Sequence, residues 1–249
     1  KAYARALCTK QFCFQIDADE VIHEDDYVKI RNLCKNFPKS VSVLCLPVVE
    51  YWGNTVRVRS DVAWKPRLSR NLPPITHDVP TYARKFDEDG NLYVEPFKSD
   101  SCDYVDVNSL LPIRAATFYP AEADGVRDTN IDEYEKWYNE VVKNYPSVHH
   151  YSWFNIERKV KNYISGPQWQ EFHRSMYNLS ENKVMFDNDS VTDEDIKQKA
   201  KEVYEHGPHI FHQKLLKEEK DKIKTIQIDK THPKIMKDWI SENTINYNG

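Results

Sequence analysis

An α/β fold is what this 249-residue sequence predicts, and three features predict it. A short aromatic and apolar run at 11–16, Gln-Phe-Cys-Phe-Gln-Ile, has the length and composition of a buried strand and stops abruptly at Asp17-Ala18-Asp19-Glu20. Helical spacing resumes at once, with Tyr27, Ile30, Leu33, Cys34 and Phe37 recurring on one face. Residues 41–59 then carry the pattern of a hairpin. Strand and helix patterns that alternate in this way are the signature of an α/β layer structure. The composition, 40% hydrophobic and 30% charged, excludes a disordered or fibrous chain. The longest uncharged apolar stretch, 41–49, is about half of what a membrane-spanning helix needs, so no membrane span is expected. No charged-then-apolar segment at the N-terminus reads as a signal peptide.

In chain order, residues 1–10 are helix formers and 12–16 form a strand, expected at the centre of a sheet with the acidic turn at its carboxyl edge. Glu24, Asp25 and Asp26 open the next helix, where its dipole favours anions. Residues 41–49 are strand-like, Gly53-Asn54 supplies a turn, and 55–59 alternate apolar with cationic side chains. A turn at 87–91 separates 84–86 from 92–94. From about 130 the pattern becomes helical: Asn130 with Glu133 forms a capping pair ahead of Tyr134, Tyr138, Val141 and Val142. A second helix covers 153–165, a third starts at Thr192 with Asp195 three residues on, and 213–224 is a charged, solvated helix. Two regions follow, an α/β region over 1–125 and a mainly helical one over 126–249.

The net charge is −4, with no basic region of the kind that attracts nucleic acid. A local cationic pocket for a phosphate-bearing small molecule remains open. Five cysteines, an odd number without paired or zinc-type spacing, read as buried thiols in a reducing compartment, which predicts a cytoplasmic protein. Asn178-Leu179-Ser180 and Asn188-Asp189-Ser190 match glycosylation sequons, a pattern common by chance.

The chemistry concentrates at Asp17 and Asp19. Two carboxylates at the end of a buried strand lie where open α/β sheets bind ligands, and together they suit a hard cation, Mn²⁺ or Mg²⁺, that recruits a substrate phosphate. The same pattern also serves as a helix cap or a solvated turn. The pair His149-His150 offers an imidazole or a core histidine. Arg158, Lys159 and Lys161 offer phosphate contacts or a solvated helix face, and Arg67 and Arg70 carry the same ambiguity. His206, His209 and His212 suggest a metal only weakly, because Gly207 and Pro208 interrupt the helix that would align them.

Three segments in order carry a resemblance. Phe14-Gln15-Ile16-Asp17-Ala18-Asp19-Glu20-Val21 resembles the strand and DADE segment of family 2 glycosyltransferases of the GT-A fold. Trp64-Lys65-Pro66-Arg67-Leu68-Ser69-Arg70 with Thr76-His77-Asp78 is similar to that family's RLFR…HE stretch, with Asp in place of Glu. Val148-His149-His150-Tyr151-Ser152-Trp153-Phe154, followed by Glu157-Arg158-Lys159, is similar to its HYGY segment and the basic residues beyond it. The resemblance implies a GT-A-like mixed sheet and transfer of a sugar from a nucleotide-sugar donor to a hydroxyl of a glycan or other acceptor. It implies a divalent cation on Asp19, with Asp17 and His150 as further ligands. Arg67, Arg70, Tyr151, Arg158 and Lys159 are then the donor-binding residues. Asp78 becomes the general base of an inverting transfer, ahead of Asp61 and Glu50. Family members carry a nucleotide-binding half ahead of the DxD, whereas 16 residues precede Asp17 here. A sheet incomplete at its N-terminus is therefore expected, with a missing N-terminal segment of the same polypeptide as partner. The alternatives are a non-catalytic carbohydrate-interaction or structural module on the same scaffold and, from another class, a divalent-metal phosphohydrolase or nucleotidyltransferase. The latter would need further carboxylates converging on the metal.

Overall fold

The computed structural model describes residues 5, 7–37, 41–61, 64–72, 85–86, 92–93, 102–104, 113–117, 123–165, 191–207 and 223–245. Its secondary structure is mixed α/β, and the chain divides into two interleaved units. The first comprises 1–49, 61–150 and 228–235; the second comprises 50–60, 151–227 and 236–249. The expected boundary at 125 falls inside a helix of the first unit, Ala123–Thr129. The chain crosses between units inside two strands, because each of those strands contributes residues to both.

In the first unit, β1 (Phe12–Phe14), β3 (Val43–Leu46), β6 (Lys65–Arg70), β9 (Cys102–Tyr104) and β10 (Ile113–Thr117) form a sheet in the order β1-β6-β3-β10-β9. Only β3 and β10 run parallel among the described residues, so the sheet is mixed. Among the described residues β1 is an end strand, not the central one its aromatic run predicts. Its side chains are covered across the face instead: Phe12 packs against Phe37 with ring centroids 5.0 Å apart. Residues 41–49 do not form one strand. Pro47, which has no N–H to give a ladder, separates β3 from β4 (Val48–Trp52). A core of Ile22, Phe37, Val41, Leu44, Leu46, Leu68 and Val148 lies beneath this sheet, with Ile30, Leu33 and Cys34 packed on it. The last three lie on α1 (Asp26–Lys35), as the helical spacing predicts, whereas Tyr27 is exposed.

α1 begins with a buried carboxylate. Asp26 has no exposed side-chain surface. It accepts from Lys29 Nζ (2.8 Å), from the Ser147 backbone N–H (3.0 Å) and from Lys230 Nζ. Lys230 spends its other donors on Val142 O (2.9 Å) and Ser147 Oγ (2.8 Å). Burial lowers the Lys230 pKa, and the Asp26 charge opposes that shift. Thr231 and Lys234 reach His23 Nε2 (3.0 Å) and Glu24 (3.2 Å to the Lys234 N–H), so the segment 228–235 is laced to the start of α1. Next come α2 (Ala123–Thr129) and α3 (Ile131–Asn144). The expected cap is present: the Glu133 N–H donates to Asn130 Oδ1 at 3.2 Å, and Tyr134, Tyr138, Val141 and Val142 are buried. β7 (Lys85–Phe86) and β8 (Leu92–Tyr93) pair antiparallel on either side of the predicted turn.

In the second unit, β5 (Arg57–Arg59) pairs with the Tyr51 end of β4 and with β12 (Thr225–Gln227). The hairpin turns at Gly53, whose φ of 68° suits glycine, and Asn54 Oδ1 accepts from the N–H groups of Val56 (3.0 Å) and Arg57 (2.7 Å). Trp52, Trp153, Ile156, Val160, Ala200, Val203 and Tyr204 form its core. They join β4 to α4 (Ile156–Ser165) and α5 (Asp193–His206), and α6 (Lys237–Asn243) also belongs to this unit. Thr192 and Asp195 form the reciprocal capping box that their spacing predicts. The region after 125 therefore holds helices together with β12 and β11 (Val148–Trp153). Both sequons, residues 213–222 of the expected 213–224 helix, His209 and His212 lie outside the described residues. Ile223 and Lys224, the end of that stretch, are described and are not helical. Among the described residues no helix is long and apolar enough to cross a membrane.

Removing the charge of Asp26 leaves Lys230 buried without its counter-charge. Asp26→Asn is expected to cost about 3–5 kcal/mol, read as a lower urea midpoint at unchanged slope. Adding Lys230→Met should recover a large part of that loss, which a double-mutant cycle will measure.

Candidate functional site

The site is built from the acidic turn, β2 (Glu20–Ile22), β6 and the first half of β11, all in the first unit. The turn closes on itself: the Glu20 N–H donates to Asp17 O (3.1 Å) and the Asp17 N–H donates to Glu20 Oε2 (3.0 Å). On β6 the ladder to β3 slips, with Leu44 opposite Leu68 but Cys45 opposite Pro66. Arg67 is thus the extra residue of a β-bulge, a device that re-aims a side chain. Its own carbonyl accepts from the Gln15 N–H at 2.7 Å, one residue past β1. The guanidinium grips Glu20 with two parallel bonds, Nε to Oε2 and Nη2 to Oε1, both 2.8 Å, and Nη2 also donates to Asp17 Oδ2 at 2.8 Å. Arg67 is 3% exposed and the Glu20 side chain not at all. Burial by itself would raise the Glu20 pKa. The hydrogen bonds from Arg67 and the Asp17 N–H, with the charges of Arg67 and Lys65, outweigh burial and hold it below the usual carboxylate range.

β2 and β11 run antiparallel with Glu20 opposite His150, so both side chains share one face. Lys65 Nζ joins them, 3.1 Å from Glu20 Oε1 and 3.4 Å from His150 Nδ1. An ammonium only donates, so Nδ1 accepts and the neutral ring carries its proton on Nε2. That nitrogen faces Asp19 Oδ2 at 3.2 Å. The Asp19 side chain is 45% exposed and His150 only 12%. His149, one residue back, points to the opposite face by strand alternation. It is fully buried 5.8 Å from the His23 ring, and burial, reinforced by the charges of Lys230, His23 and His232, depresses its pKa well below the usual value.

Of the residues the sequence singles out, Asp17, Asp19, Arg67 and His150 are brought together. Two of the three arginines expected to meet donor phosphates, Arg67 and Arg70, make contacts inside the first unit. Arg67 holds the turn. Arg70 lies over Phe12 (5.7 Å) and Phe37 (5.1 Å) and donates to Val41 O at 2.9 Å, bracing the edge of the sheet. Tyr151, Arg158 and Lys159 belong to the second unit. Tyr151 is buried and stacked on Tyr51 at 4.9 Å, and burial raises its hydroxyl pKa far above the ordinary value. Arg158 sits over Trp239 (5.1 Å), and Lys159 donates to Ser152 Oγ (2.6 Å) and lies 5.3 Å from the Trp153 ring. Asp78 and His77 lie outside the described residues. Of the less favoured bases, Asp61 is exposed and Glu50 is buried in β4. Sequence reasoning missed Glu20 and Lys65 as site residues, although Glu20 is the third acidic residue of its motif and Lys65 the first residue of β6.

Asp19 Oδ2 and His150 Nε2 stand at hydrogen-bonding distance, as a neutral imidazole and a carboxylate do by themselves. Ligand atoms about 2.0–2.1 Å from one ion at a right angle are about 2.9 Å apart, close to the 3.2 Å seen between Oδ2 and Nε2. Mg²⁺ and Mn²⁺ take the remainder of their shell from water and substrate phosphates. Asp17 stands beside the pair with Oδ2 held by Arg67. Among the described residues no group of three or more His, Cys, Asp or Glu side chains is arranged around one point.

Because the folded Glu20 pKa is depressed, its stabilisation is complete above the unfolded pKa of about 4.3 and is lost as pH falls through the lower folded value. Urea midpoints measured between pH 7 and 3 should fall at the acid end, and Glu20→Gln should flatten that part of the profile while lowering stability at pH 7.

No protein-family model matches this chain, and no curated protein or solved structure matches it.

Proposed function

We propose that the chain is a metal-dependent glycosyltransferase of the GT-A type, or the catalytic portion of one, moving a sugar from a nucleotide-sugar donor to an acceptor hydroxyl. One observation carries this reading: segments around residues 17, 67 and 150, singled out separately in the sequence, supply Asp17, Asp19, Glu20, Lys65, Arg67 and His150 to a single cluster. Asp19 and His150 are the cation ligands. Asp17 supports them through the turn that Arg67 and Glu20 hold. A bound Mn²⁺ or Mg²⁺ supplies Lewis-acid stabilisation of the departing nucleoside diphosphate. Tyr151, Arg158 and Lys159 are assigned to donor binding and Asp78 to proton abstraction from the acceptor, both by resemblance. Cys13 and Cys34, free thiols whose pKa burial raises, support a cytoplasmic location.

The test is release of nucleoside diphosphate from a panel of nucleotide sugars in the presence of Mn²⁺. Release should occur with at least one donor and be lost in Asp19→Ala, which should also bind Mn²⁺ more weakly by calorimetry, as should His150→Ala. No release with any donor, or equal Mn²⁺ affinity in wild type and Asp19→Ala, removes the reading.

Where the product anomer shows inversion, Asp78→Asn should lower kcat by about 10²–10⁴ with donor affinity kept. His77→Ala should cost less. Near wild-type turnover in Asp78→Asn moves the base elsewhere.

A further inference from the structure

Resting on that reading, we propose that Lys65 is the residue that meets the donor's diphosphate, and that it does so only after the cation has bound. Arg67 and Lys65 are the two cations of the cluster, and they are used differently. Arg67 is buried and holds both Glu20 oxygens and Asp17. Lys65 is 27% exposed and makes two contacts, to Glu20 Oε1 and His150 Nδ1. Its ammonium has three donors, so one is left for a ligand. A flexible point charge of this kind can follow a phosphate, as a locked guanidinium cannot.

The order of binding follows from charge and from the imidazole. The carboxylates of Asp17, Asp19 and Glu20 outnumber Lys65 and Arg67 by one, so the cluster repels an anion until a divalent cation reverses its sign. A cation at His150 takes the lone pair of Nε2, and the ring proton then belongs on Nδ1. That N–H faces an ammonium that accepts nothing, so the contact between Lys65 and His150 has to break. Cation binding therefore frees a second donor of Lys65 and makes the site attractive to phosphate in one event.

The two roles predict effects of opposite sign in Lys65→Met, which keeps the apolar stem and removes the charge. In the full chain, titrated with Mn²⁺ alone, the variant should bind about fivefold tighter, because a neighbouring positive charge is gone. Titrated with inorganic pyrophosphate at saturating Mn²⁺, it should bind about tenfold or more weaker, the usual effect of losing a hydrogen bond between charged groups. Lys65→Arg should retain much of the pyrophosphate affinity. Wild type without Mn²⁺ should bind pyrophosphate poorly, a measurement that needs no variant to fold. Unchanged pyrophosphate affinity in Lys65→Met, with Mn²⁺ bound by both proteins, overturns the role of Lys65 and leaves the transferase reading standing. Equal pyrophosphate binding by wild type with and without Mn²⁺ overturns the binding order. Failure of wild type to bind Mn²⁺ at all removes the transferase reading together with this one.

Discussion

The buried fork between Arg67 and Glu20 is the constraint on which the candidate site rests. Removing a guanidinium and a carboxylate from water is costly, and the cost is offset only where geometry is good and the remaining lone pairs are filled. Glu20 meets both conditions: two bonds from Arg67, one from Lys65 and one from the Asp17 N–H. The bulge on β6 exists at the residue whose side chain must turn toward β2. The fork ties the acidic turn to β6, adding a further hold to the Glu20 N–H bond to Asp17 O and the pairing of Glu20 with His150.

A second buried pair stands six residues further on. Asp26 is held by Lys230 from the far end of the sequence, as Glu20 is held by Arg67 and Lys65. The stretch 17–26, which contains the turn, β2 and the start of α1, is thus pinned at both ends by cations brought from distant segments. Within it Asp19, 45% exposed, sits between Asp17 and Glu20, the two carboxylates that Arg67 holds. In the role proposed for it, an exposed carboxylate on a fixed backbone accepts an ion with little reordering.

Several elements were legible because their causes are local. Asn130 and Glu133, and Thr192 and Asp195, sit three residues apart, and a cap bond spans that distance whatever the rest of the chain does. The apolar stripe of α1 needs only the helical period. Misreadings arose where a residue's neighbours are remote. The aromatic run of β1 looked central because Phe12 and Phe14 are apolar, yet strand order depends on what pairs alongside, and only β6 does so among the described residues. The partners of Arg67 and Arg70, singled out as donor-binding because cations stand beside a motif, were equally illegible. In the fold one is a buried clamp and the other a lid on Phe12 and Phe37. Pro66 within a strand was a visible sign of the bulge, and Pro47 of the break between β3 and β4.

By itself the sequence determined the mixed α/β character, the helix starts at Asp26, Ile131 and Asp193, the hairpin around Gly53 and the acidic turn. Each follows from hydrogen bonds or periodicities that close within a few residues. The helix expected from 153 begins instead at Ile156, because Trp153 still belongs to β11. Only the tertiary structure decided which charges meet. Asp19 with His150, Glu20 with Arg67 and Asp26 with Lys230 are separated by 131, 47 and 204 positions. Nothing in local propensity distinguishes one lysine or carboxylate from the many others on such a charged chain. The choice among them is made by strand register and by the penalty for burying a charge without its partner.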